Sequence, residues 1–160
     1  MQRQIINYTE LAQQLAGLFA DERHWLTNLS QFSAFINEVM EDINWVGFYL
    51  VHTEQSLKLG PFQGRVACVD IPFGKGVCGA AAASGEVQRV DDVHQFAGHI
   101  ACDARSQSEL VIPLYSGEQF LGVLDIDSPS LGRFSEADAE GMSDLTQILL
   151  SGTDWPASFV

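Results

Sequence analysis

Positive charge is scarce in this sequence: 8 Lys and Arg stand against 21 Asp and Glu, for a net charge of −13. Nucleic acid and anionic membrane surfaces both require a basic footprint, so the imbalance argues against either as a partner. No apolar run approaches the ~20 residues of a membrane span, and the opening stretch Met1–Glu10 has no apolar core of signal-peptide length. Repeats, linkers and low-complexity tracts are missing too, which leaves a single domain over residues 1–160. Cysteine is equally sparse, with three residues, all between positions 68 and 102. An odd count without a leader reads as a reduced, cytoplasmic protein. A chain of this length buries about two thirds of its unfolded surface without covalent staples, so any disulfide it forms is functional.

What is present organises itself by hydrophobic period. Asn7-Tyr-Thr-Glu10 has capping-box spacing, and Leu11, Leu15, Leu18 and Phe19 follow at helical intervals. A second helix is predicted from about Asp21 to Asp42, with an apolar seam of Trp25, Leu29, Phe32, Ile36 and Val39. From Asn44 the period drops to two. Strands are predicted at Trp45–Val51, Leu57–Phe62, Val66–Ile71, Glu86–Val90, Glu109–Tyr115 and Phe120–Asp127, with a short helix near Cys78–Ser84 and a last helix from Ser135. Short connections between these strands imply an α+β fold with one largely antiparallel six-stranded sheet. The N- and C-terminal helices cover one face, and the long loop from Asp91 to Ser108 encloses the other.

The chemistry concentrates near that loop. Cys102 carries a cation three residues on, Arg105, and a carboxylate seven residues on, Glu109: the parts of an activated thiol beside a proton donor. Asp125 and Asp127 lie two apart on a strand and leave the same face. If Glu109 joins them, repulsion and burial raise at least one pKa and hold a proton near neutrality. A regular two-residue hairpin places Glu109 opposite Ile126, on the wrong face, so convergence requires a bulge, an odd loop, or Glu109 lying ahead of the strand. Trp45, Gly47 and Tyr49 share one face, with a gap at the glycine suited to a small group such as a methyl on sulfur. Strand aromatics are more often simply core.

Other readings are weaker. Gly74-Lys-Gly-Val-Cys-Gly79 has the spacing of a dinucleotide loop, but Pro72 interrupts the approach and no further βαβ units follow. Its more useful consequence is a turn, Gly74-Lys75-Gly76, that could offer backbone N–H groups to a carboxylate. A zinc site from the three thiols with His94 or His99 lacks any C-x-x-C or H-x-x-x-H pair.

Taken together, Asn44-Trp-Val-Gly-Phe-Tyr49, Gly60-Pro-Phe-Gln-Gly64, Ile71-Pro-Phe-Gly-Lys-Gly-Val-Cys-Gly79, His99-Ile-Ala-Cys-Asp-Ala-Arg-Ser-Gln-Ser-Glu109 and Gly122-Val-Leu-Asp-Ile-Asp-Ser128 resemble the free methionine-(R)-sulfoxide reductases, an enzyme branch of the GAF fold. The resemblance covers about residues 9–150. It implies a GAF-like domain in which Cys102 attacks the sulfoxide of free methionine-R-sulfoxide, Cys68 is the principal resolving thiol and Cys78 has a less defined part. Glu109, Asp125 and Asp127 match the carboxylates that hold the amino group and activate the sulfoxide, and Trp45 and Tyr49 match the aromatic wall. Such chemistry passes through a sulfenic acid and a disulfide that a dithiol such as thioredoxin reduces, with no metal or organic cofactor. The α-helical seam and the habits of related GAF proteins suggest a homodimer. A non-catalytic ligand sensor would leave the grouped thiols unexplained, and a bare thiol switch would leave the aromatics and carboxylates without a use.

Overall fold

The structure is a computed structural model that describes residues 4–100 and 102–159. Residues 1–3, on which part of the N-terminal reading rests, Ala101 of the cysteine loop, and Val160 lie outside the described residues. Helix α1 (Tyr8–Leu18) opens where expected, the Asn7 side chain accepting the Glu10 N–H at 3.1 Å. Helix α2 spans Trp25–Val39, shorter than the periodicity predicts. Its start is delayed because Glu22 accepts the His24 N–H at 3.1 Å and the His24 ring caps Thr27. At its far end Asp42 adopts a left-handed φ of 59°, which no helix continues through.

Six strands follow the predicted order: β1 (Trp45–Thr53), β2 (Ser56–Gly64), β3 (Asp70–Pro72), β4 (Gln88–Val90), β5 (Ser108–Ser116) and β6 (Gln119–Ser128). They form one sheet in the order β3-β2-β1-β6-β5-β4, antiparallel at every pairing. Helix α3 (Gly76–Ser84) lies between β3 and β4, and α4 (Glu136–Ser151) closes the chain with the complete Ser135/Asp138 capping box. No helix among the described residues is long and apolar enough to cross a membrane.

Alternation sorts the side chains by face. Val46, Phe48 and Leu50 of β1, with Leu110, Ile112, Leu124 and Ile126, bury against α1, α2 and α4. Trp45, Tyr49, Val111 and Val123 point the other way, toward α3. The α2 seam is largely consumed within the chain: Leu29, Phe32 and Ile36 enter the first core, and Trp25 meets Phe159 edge-on at 5.0 Å. Arg133, 1 % exposed, fastens this layer together. It donates to the Glu41 carbonyl at 2.9 Å and pairs with Asp138, whose other oxygen accepts the Tyr8 hydroxyl. Removing one member of such a buried pair strands the other.

Two departures from the expected pattern shape the sheet face that looks toward α3. The predicted strand Val66–Ile71 shrinks to Asp70–Pro72. Before it, Trp45 Nε1 and the Tyr49 hydroxyl donate to the carbonyls of Arg65 and Cys68, holding residues 65–69 as an irregular segment across the sheet face. The second departure is a bulge in the β5–β6 hairpin. Ser116 pairs with Gln119 and Tyr115 with Phe120, but Leu114 pairs with Gly122, so Leu121 is the extra residue. Every pair beyond it shifts by one, and Glu109 stands opposite Asp127 rather than Ile126.

Gly122 makes this bulge possible. Its φ is 143°, and a Cβ there would overlap the Tyr49 carbonyl oxygen on β1. Gly122→Ala is therefore expected to destabilise the protein by about 2–4 kcal/mol, combining backbone strain with the clash. Urea unfolding checks this; an unchanged midpoint would show that the bulge tolerates a side chain.

Candidate active site

Across the middle of the sheet, cross-strand pairing lines up Trp45 (β1), Asp127 (β6) and Glu109 (β5), and beside them Gly47, Asp125 and Val111. The carboxylates on β5 and β6 thus share the face that looks toward α3. The bulge satisfies the condition that the plain hairpin count did not. Asp125 and Glu109 are buried, and the Cys78 thiol from the first turn of α3 closes on them, with Cys78, Glu109 and Asp125 ligand atoms all within 4.8 Å of one another.

Burial without cations sets the protonation. Desolvation, reinforced by the Asp125 charge, pushes the Glu109 and Asp127 carboxyls well above their ordinary values. Asp125 is raised by desolvation as well, and is held back by the hydrogen bonds its two carboxyl neighbours and Cys78 offer it. The Cys78 thiol rises well above its usual range through desolvation and the three surrounding carboxylates. The site is therefore a buried acidic floor that carries protons. Asp125 Oδ1 finds no hydrogen-bond partner among the described residues, an orphaned acceptor facing a cavity.

On β1 the Trp45 and Tyr49 rings stack at 5.8 Å, and both line the cavity. The gap expected at Gly47 is not open. A Cβ there would overlap Phe62 of β2, which stacks on Trp45 at 5.1 Å, so the glycine admits a neighbouring strand. The Gly74-Lys75-Gly76 turn also differs from expectation. Its amides are already spent, donating to the carbonyls of Gly79 (2.8 Å), Pro72 (3.1 Å) and Gly98 (3.1 Å) respectively. What remains on that side of the cavity is the Lys75 side chain and the first turn of α3, where Val77 and Cys78 have no intrahelical acceptor.

Cys102 lies in the long loop, which contains a single 3-10 turn at Val93–Gln95, and lines the same cavity as Trp45, Tyr49, Cys78 and the carboxylates. It is disulfide-bonded to Cys68, with the Cα atoms 5.4 Å apart, so loop and irregular segment are tied together over the site. Cys78 is free and buried. Arg105 does not face the thiol: it pairs with Asp103 at 2.9 Å and holds that carboxyl down to about 2. Asp103 and Ser106 both accept from the Asn44 amide, fixing the base of the loop to the start of β1. The sequence assigned no part to Asp103 or Ser106, gave Lys75 only a backbone part in its turn and weighed His99 as a zinc ligand; all four line the cavity. His99 Nδ1 is buried without a partner among the described residues, and burial lowers its pKa. The proposed zinc set is not assembled in this state, since Cys68 and Cys102 are bonded to each other.

Residues 27–149 match the GAF domain family. The free methionine-R-sulfoxide reductase of Escherichia coli is 49 % identical over 155 residues, 95 % of this chain and 93 % of that protein. Two structures of the Staphylococcus aureus fRMsr superpose closely. The reduced form gives a TM-score of 0.91 at 48 % identity, covering 95 % of this chain and 98 % of that one. The complex with substrate gives 0.89 at 47 % identity, covering 95 % and 99 %.

The raised carboxyls predict a pH dependence of stability. A folded-state pKa above the unfolded value means that the native state binds the extra proton, so that stability is lost as pH climbs from the unfolded value through the folded one. The melting temperature of the oxidised protein should therefore fall as pH rises above the ordinary carboxylate range, because these carboxyls are raised in the folded state. Asp127→Asn, neutral throughout, should flatten that slope. Asp103, held to about 2, acts oppositely: its stabilisation is fully present above its ordinary 3.8 and is lost as pH falls from there through about 2. Calorimetry across this range checks the pair; identical slopes in wild type and Asp127→Asn would show that the cluster is not titrating.

Proposed function

The chain belongs to the GAF-domain family and, within it, to the free methionine-R-sulfoxide reductases; from that premise we propose that it reduces free L-methionine-(R)-sulfoxide by a Cys102-centred thiol cycle. The observation that carries the mechanism is the meeting of Cys102, bonded to Cys68, with a proton-bearing carboxyl cluster in one cavity. In the reduced enzyme the Cys102 thiolate attacks the sulfoxide sulfur. Glu109 or Asp127, whose carboxyls desolvation and the Asp125 charge raise, supplies the proton that the departing oxygen needs. Methionine leaves and Cys102 becomes a sulfenic acid. The Cys68 thiol condenses with it, releasing water and forming the disulfide. An external dithiol, for which thioredoxin is the reading, returns both cysteines to thiols with two electrons and two protons.

The substrate's ends fit the cavity's two sides. Asp125, with its unpaired Oδ1, suits the α-ammonium, and Lys75 with the first amides of α3 suits the α-carboxylate. Trp45 and Tyr49 offer apolar faces to the methyl sulfide end. No step calls for a metal or an organic cofactor. Recycling by a cellular dithiol places the enzyme in a reducing compartment, which fits the cytoplasm. A homodimer has less support than the α2 seam suggested, because much of that seam is used internally; its support is the open apolar groove of Trp25, Leu26, Pro61 and Phe159. Light scattering at micromolar concentration decides it.

Cys102→Ser should abolish sulfoxide reduction, since a neutral hydroxyl is a far poorer nucleophile toward sulfur. Cys68→Ser should complete one stoichiometric turnover and then cycle poorly with thioredoxin; steady-state rates equal to wild type would transfer the resolving role to Cys78. The N-acetyl methyl amide of methionine-R-sulfoxide lacks both charges, leaving buried polar groups unpaired at about 1–3 kcal/mol each. Its kcat/KM should fall by about tenfold or more per lost partner. Comparable efficiency on the blocked substrate would refute the amino-acid clamp.

A further inference from the structure

Three apolar side chains close in sequence to the two cysteines of the Cys68–Cys102 disulfide pack into neither core: Val66 is 89 % exposed, Val69 53 % and Ile100, which also lines the cavity, 37 %. Their exposure is built, not incidental. The Trp45 and Tyr49 hydrogen bonds to the carbonyls of Arg65 and Cys68 hold residues 65–69 in the irregular course that turns both valines outward. The two cysteines also differ in aspect. Cys102 lines the inner cavity, whereas Cys68 sits between the two exposed valines. Charge near the disulfide is muted in a molecule of net charge −13. Asp70 is paired with Lys58 at 2.8 Å and Asp103 with Arg105 at 2.9 Å, while Arg65 is exposed. Pairing these carboxylates with cations lessens the repulsion an acidic protein meets near the disulfide.

We propose that Val66, Val69 and Ile100 form the docking patch for the protein dithiol that recycles this enzyme, and that the incoming thiolate attacks Cys68. The inference rests on the thiol cycle proposed above and adds where and on which sulfur the reductant acts. Attack at Cys68 Sγ breaks the Cys68–Cys102 bond, forms an intermolecular disulfide to Cys68 and releases Cys102 as a thiolate inside the cavity. The partner's second thiol then displaces Cys68, leaving the partner oxidised and both enzyme cysteines reduced. A small dithiol needs no docking surface and gains nothing from the patch, so the two kinds of reductant separate the docking role from disulfide chemistry.

The test follows reduction of the oxidised enzyme's disulfide directly, by thiol titration, with thioredoxin and with dithiothreitol. Val66→Ser/Val69→Ser changes only exposed side chains outside the cavity. It should slow reduction by thioredoxin about tenfold, equivalent to about 1.4 kcal/mol, and leave the dithiothreitol rate unchanged. An unchanged thioredoxin rate would overturn the patch, as would an equal slowing with dithiothreitol, which would indicate a local disturbance of the disulfide. A thioredoxin variant lacking its second thiol should be trapped on Cys68, located by peptide mass spectrometry; trapping on Cys102 would overturn the assignment of the attacked sulfur. Neither measurement uses methionine sulfoxide, so failure of the substrate reading would show only in the turnover assay.

Discussion

The register of one hairpin governs the chemistry of this protein. A single extra residue, Leu121, accommodated by the positive φ of Gly122, moves Glu109 from opposite Ile126 to opposite Asp127. Without that shift Glu109 would point into the apolar layer beneath α1, α2 and α4, where an unpaired carboxyl is costly. With it, three carboxyls from two strands share the opposite face. Like charges directly across a ladder repel, so the arrangement is tenable only if protons are retained. The bulge thus specifies a protonation state as well as a shape.

The proposed cycle uses that state, and it also separates the parts of the two remaining thiols. Cys78 lies against the carboxylates and is pushed well above its usual range, so it stays a thiol, a poor nucleophile. Cys68 is half-buried on an irregular segment at the cavity's outer edge, away from the acidic floor, and is already bonded to Cys102. Geometry and electrostatics therefore favour the same division: Cys68 for resolution, Cys78 as a neutral part of the floor that offers a hydrogen bond to Asp125.

The range of the forces involved decides how much of the fold and site is legible in the sequence. Helices and strands set by local period and caps are readable: Asn7 and Ser135 open helices where their side chains can accept N–H groups, and β1 and β6 alternate as their sequences do. The family resemblance carries the disulfide partners. Features fixed by contacts distant in sequence are not readable. Residues Val66–Val69 have strand composition, yet donors 20 and 19 residues away on β1 claim the carbonyls of Arg65 and Cys68. The Gly47 gap is filled by Phe62 from the next strand, and the Gly76 amide is taken by Gly98 from the long loop. Arg105 reads as a partner for Cys102, but Asp103, two residues before it, holds it instead.

The disulfide gives the proposed cycle an order. It ties the 91–107 loop to residues 65–69, and the Gly76 amide fastens the same loop to α3 by donating to Gly98. Beneath them lies the cavity lined by Cys102, Cys78 and the carboxylates. In the proposed cycle reduction of Cys68–Cys102 must come before attack, because the bond occupies the sulfur that attacks. Because the loop carries Cys102 itself, the bond that ends one turnover also occupies the nucleophile until the next reduction. In that cycle over-oxidation of Cys102 is confined to the interval between sulfenic acid formation and condensation with Cys68.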